Sequence, residues 1–81
     1  MKTNEEVMAL ANQIQEKSSS NVNVSVDFTL GGYGTKWGVQ LLVINPQGGI
    51  ATYISFSPYG DIGRLELLAK HGYNSQTAAL N

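Results

Sequence analysis

From Val22 to Leu30 apolar and polar residues alternate without a break. Val22, Val24, Val26, Phe28 and Leu30 stand against Asn21, Asn23, Ser25, Asp27 and Thr29. Successive side chains of a strand point to opposite faces, so this run makes a strand with one face in a core and one in water. A helix would scatter the same residues around its circumference. The alternation therefore commits this stretch to a sheet, and the rest of the chain must supply what covers one side of it.

Two more strands follow. Gly31-Gly32-Tyr33-Gly34 turns the chain, since glycine reaches positive φ at no steric cost. Strands are expected over residues 22–30, 36–44 and 50–57. In the second, Trp37, Val39, Leu41 and Val43 share one face, and Lys36, Gly38, Gln40, Leu42 and Ile44 the other. Its far end is apolar on both faces, which suits a central strand. Asn45-Pro46-Gln47-Gly48-Gly49 forms the next turn: Pro46 presets φ and the glycines supply the left-handed position. In the third strand Ile50, Thr52, Ile54 and Phe56 are expected to face the core, with Ala51, Tyr53 and Ser55 opposite.

Helices flank this meander. Thr3 and Glu6 have the spacing of a capping box, and Val7, Leu10, Ala11 and Ile14 make one apolar stripe, so residues 3–17 are expected to be helical. Glu5 and Glu6 in the first turn and Lys17 in the last complement the dipole. After Ser57-Pro58-Tyr59-Gly60, Asp61 is a candidate N-cap. Ile62, Leu65, Leu68 and Ala69 keep helical spacing, and Gly72 is a stop. Residues 61–71 are accordingly read as helix rather than as a fourth strand in which Leu65 and Leu67 alternate with Arg64 and Glu66. Residues 73–81 form a tail. The expected fold is α+β, in the order α-β-β-β-α: a three-stranded antiparallel meander with both helices on one face. The 81 residues suffice for a single domain with a small core, and the absence of cysteine excludes disulfides and thiolate metal sites.

The residues disfavour several chemistries. The stretch from Leu30 to Gly38 holds glycines beside Thr35 and Lys36, but a phosphate-cradling loop needs G-x-x-x-x-G-K-[ST] followed by a helix. Here Thr35 precedes the lysine and a strand follows, so the plain reading is a hairpin loop. His71 is the only histidine, too few for a zinc site, and its position in a last helical turn suits the dipole. Glu5, Glu6, Glu16, Asp27, Asp61 and Glu66 are spread over different elements, so no paired carboxylates suggest acid–base work. No serine lies in a nucleophile-elbow context. A non-enzymatic protein with no cofactor and no metal is expected.

Charge narrows the partners. Charged residues are 14% of the chain, against about 25% on average, and the net charge is −1. Duplex nucleic acid and anionic membranes both attract basic patches, which this composition lacks. No apolar run approaches the roughly 18–20 residues that span a bilayer, and the first residues lack the pattern of a signal peptide, so a cytoplasmic location is expected. The element order is shared with double-stranded-RNA-binding domains. Those meet phosphates with a lysine-rich start to the last helix, where this chain has Asp61, Ile62 and Gly63. Nucleic acid is kept as an alternative on that analogy alone.

What remains is the side of the sheet that the helices leave bare. Between residues 21 and 57 the only formal charges are Asp27 and Lys36. Depletion of charge around an aromatic centre is the compositional mark of a protein–protein interface, and an uncharged edge strand is a template for pairing with another chain. Tyr33, Lys36, Gln40, Leu42, Ile44, Tyr53 and Tyr59 are the candidate contact residues. The function expected is binding of a protein partner, or of a second copy as a homodimer. A bacterial or phage accessory protein or inhibitor is one such role, and a self-assembling structural subunit is a further alternative.

Overall fold

A computed structural model describes residues 3–28, 37–58 and 60–74. The order is α1 (Asn4–Lys17), β1 (Val22–Asp27), β2 (Gly38–Ile44), β3 (Ile50–Phe56) and α2 (Ile62–His71). The strands form one antiparallel sheet in the order β1-β2-β3. The α+β architecture and its element order are those the periodicity predicts.

The strands are shorter than expected. Thr29, Leu30 and Lys36, placed at strand ends by the alternation, lie outside the described residues, while Phe28, Trp37 and Ser57 flank the strands. Residues 62–71 are helix, which removes the rival fourth strand. Of the tail, Tyr73 and Asn74 are described.

The start of α1 is fixed by reciprocal bonds. The Glu6 backbone N–H donates to Thr3 Oγ1 at 3.2 Å, and the Thr3 N–H donates to Glu6 Oε1 at 3.0 Å. Two donors that a helix end leaves orphaned are thereby satisfied. Asp61 occupies the N-cap of α2 but makes no capping bond with its side chain. Its carboxylate accepts instead from the Ser57 backbone N–H at 2.8 Å and from Ser57 Oγ at 3.4 Å. The carboxylate ties the end of β3 to the start of α2, a use that competes with capping.

Both helices cover the same side of the sheet. Val7 and Ile14 of α1, with Leu65, Leu68 and Ala69 of α2, join Val22, Val39, Leu41 and Phe56 in one buried cluster. The strand members of that cluster share a face by register: Val22 lies opposite Val43, Val24 opposite Leu41, and Val39 opposite Phe56. Trp37 is buried in the same core, where the sequence placed it. The Arg64 guanidinium lies 5.2 Å from the centroid of the Phe56 ring, a cation–π arrangement that closes the core at the start of α2.

The helix C-termini meet in close contact. Gly72 ends α2 at φ 74° and ψ 172°, and its N–H donates to the Leu68 carbonyl at 2.6 Å. A Cβ at this position would lie 2.2 Å from the Lys17 backbone oxygen. Ser18 Oγ donates to the Ile14 carbonyl and accepts from the Tyr73 N–H at 2.9 Å, while Lys17 Nζ reaches the Lys70 carbonyl at 3.2 Å. The side chains that end α1 thus also anchor the residues that end α2.

Candidate interaction surface

The opposite side of the sheet is bare of described helices. Cross-strand pairing puts Ser25, Gln40 and Ser55 in one row, and Asn23, Leu42 and Tyr53 in the next. Residues directly opposite one another share a face. Tyr53 is 60% exposed, Leu42 and Ile44 are half-buried, and Asn23, Ser25, Ala51 and Ser55 are exposed. Asp27, opposite Gly38 at the far end of β1, brings the one formal charge among the described strand residues of this face.

Ile50 departs from the expected pattern. The alternation assigns it to the core face with Thr52, Ile54 and Phe56. The register shifts between Val43 and Ile44, so that Val43 lies opposite Thr52 but Ile44 lies opposite Ile50. One extra residue on β3 changes the parity, as a β-bulge does, and Ile50 moves to the front. It is 64% exposed there.

The cause lies in the turn. The Gly48 N–H donates to the Asn45 carbonyl at 2.9 Å, and the Asn45 N–H donates to the Gly49 carbonyl at 2.9 Å. Gly48 and Gly49 both have positive φ, 98° and 84°. Two successive left-handed residues add a kink that a single-glycine turn lacks, and the strand restarts one residue out of step. The paired glycines are the sequence signal for this displacement.

The front therefore has an aliphatic and aromatic patch toward its β2–β3 turn, Leu42, Ile44, Ile50 and Tyr53, beside uncharged donors and acceptors on Asn23, Ser25, Gln40 and Ser55. Of the seven candidate contact residues, the structure brings Gln40, Leu42, Ile44 and Tyr53 together on this face. Tyr33, Lys36 and Tyr59 lie outside the described residues. Ile50 was missed by sequence reasoning.

The two edges of the sheet differ. The Ile44 N–H donates to the Asn21 carbonyl at 2.9 Å, which fixes which residues of β2 direct their main chain toward β1. Hydrogen-bonded pairs recur every second residue, so the backbone groups of Val22, Val24 and Val26 point away from the sheet. The Gln15 side chain of α1 meets two of these groups: its Nε2 donates to the Val22 carbonyl at 2.7 Å and its Oε1 accepts from the Val24 N–H at 2.9 Å. The Val22 N–H donates to the Ser19 carbonyl at 3.0 Å. By the same parity, Tyr53 and Ser55 direct their main chain outward from β3, and no described residue meets them; at Ala51, the extra residue of the bulge, the parity is broken.

Among the described residues no three His, Asp or Glu side chains come together as a metal cluster, and no helix is long and apolar enough to cross a membrane. The first turn of α2 carries one basic residue, Arg64, and that side chain lies over Phe56. The chain matches no family model, no curated protein and no solved structure.

Proposed function

We propose that this is a non-enzymatic binding protein that recognises another protein through the front of its sheet. The observation that carries this reading is the exposure of Ile50 and Tyr53, 64% and 60%, on the β3 side of a face whose one strand charge lies on β1 at the opposite end. Large apolar side chains held open on a rigid sheet lose little entropy on binding. The flanking serine, asparagine and glutamine side chains supply hydrogen bonds without the desolvation cost of ions. An accessory or inhibitory role toward a larger complex is the biological form this takes.

The test is capture with Tyr53→Ala. Tyr53 touches no core cluster, so the variant keeps its melting temperature within a few degrees. Tagged wild-type protein retains a specific partner from the source cells, and Tyr53→Ala loses it. Equal retention by both proteins contradicts recognition through this face.

A further inference from the structure

We infer that the bulge at Ala51 guards the outer edge of β3 against an added strand. This deepens, and rests on, the reading of the front as the recognition surface. With both edges guarded, a partner meets the sheet through side chains of its front and not by strand pairing. A three-stranded sheet has two edges, each with main-chain N–H and C=O groups that a foreign strand can bond. At β1 the Gln15 amide takes up the Val22 carbonyl and the Val24 N–H, and the Ser19 carbonyl takes up the Val22 N–H. Asp27 places a charge at the end of the same strand. Natural sheets blunt an edge with covers and charges of this kind, with proline, or with a bulge. Ile50–Phe56 has no charged residue and no proline, and no described residue bonds the outward groups of Tyr53 and Ser55. The bulge is the device left to it.

The position of the bulge suits that task. Ile44 lies opposite Ile50 and Val43 opposite Thr52, so Ala51 is the residue left over. An extra residue bends its strand, raises the local twist and interrupts the spacing of the main-chain groups. Tyr53 and Ser55 keep their outward groups, but the spacing that a partner strand must match ends at Thr52. Removing Ala51 leaves both flanking pairs in place, Ile44 with Ile50 and Val43 with Thr52. Ile50 then comes into step with Tyr53 and Ser55 as a third outward residue, on a strand without charge or proline. A strand of that description is a template for another chain. The extra residue is thus what separates this edge from an open one.

Deletion of Ala51 tests this on the full chain, by sedimentation up to about 1 mM and by hydrogen exchange at the Tyr53 and Ser55 amides. Wild type sediments at the 8.7 kDa of one chain throughout, and both amides exchange fast. The deletion variant gains mass with concentration, and the same two amides become protected as it does. Ser55→Pro added to the deletion removes one outward amide and returns the protein to monomer. Deletion of Gly49 is the second variant: it shortens the turn by one residue, pairs Ala51 with Ile44, and gives the same gain of mass and protection. Wild type that associates with protection at Tyr53 and Ser55 overturns the guard, whether or not either deletion folds. So does a folded deletion variant that stays monomeric at about 1 mM, or one that associates while both amides still exchange fast. Association of wild type through this edge, with partner capture still lost in Tyr53→Ala, overturns the guard alone. A monomeric wild type whose capture survives Tyr53→Ala overturns the front reading alone.

Discussion

Gly72→Ala tests how the two helices are joined. The backbone there, φ 74° and ψ 172°, belongs to a region that only glycine adopts freely, and forcing another residue into it costs about 1–3 kcal/mol. The new Cβ would also stand 2.2 Å from the Lys17 backbone oxygen and 2.9 Å from the Lys17 Cβ. A backbone oxygen cannot swing aside as a side-chain tip can, so one helix end must move by about 1 Å. That movement strains the Tyr73 N–H bond to Ser18 Oγ and the Lys17 Nζ bond to the Lys70 carbonyl, each worth about 0.5–1.5 kcal/mol. The combined loss is about 2–6 kcal/mol, against a total stability of roughly 4–12 kcal/mol for a chain of this length. At about 4–8 °C per kcal/mol, the melting temperature falls by at least about 8 °C. Gly63→Ala is the control: an exposed helical glycine with nothing within 4 Å of the added carbon, it gains about 0.5 kcal/mol. Thermal and urea melts followed by circular dichroism measure both. A Gly72→Ala variant within 1 kcal/mol of wild type would refute the close approach of the helix ends and the reasoning built on it.

Gln15→Leu frees the outward Val22 carbonyl and Val24 N–H, and stability falls by about 1–2 kcal/mol in urea melts. Ile50→Ser changes stability by less than about 0.5 kcal/mol, whereas Leu41→Ala costs about 2–5 kcal/mol. A large loss from Ile50→Ser in the same melts would return Ile50 to the core and remove the bulge.

Legibility from sequence followed the strength of each periodic signal. Alternation from Val22 and the stripe Val7, Leu10, Ala11, Ile14 each set a face unambiguously, because one-sided burial punishes any slip of register. The Thr3–Glu6 spacing marked the capping box that starts α1, with the helix itself beginning one residue later than expected, at Asn4. Two features were opaque for physical reasons. Asp61 has the type and position of a cap, but the competing donors on Ser57 come into reach only when the chain folds. Ile50 obeys the alternation of its strand; its displacement shows in the cross-strand register, and the Gly48-Gly49 pair is the one local sign of it. Of the candidate site, the β2 and β3 residues were readable from parity. The guarding of the β1 edge was not, because Gln15 meets Val22 and Val24 through packing of α1 rather than through any local pattern.

Site-specific photo-crosslinking addresses recognition by the sheet front most directly. A benzophenone side chain replaces Tyr53 in one protein and Gln13, exposed on α1, in another, and each is irradiated in extract from the source cells. The front position forms a discrete protein adduct that excess unlabelled wild type suppresses, and the helix position forms none. Adducts of equal yield from both sites, or from Gln13 alone, would contradict the account.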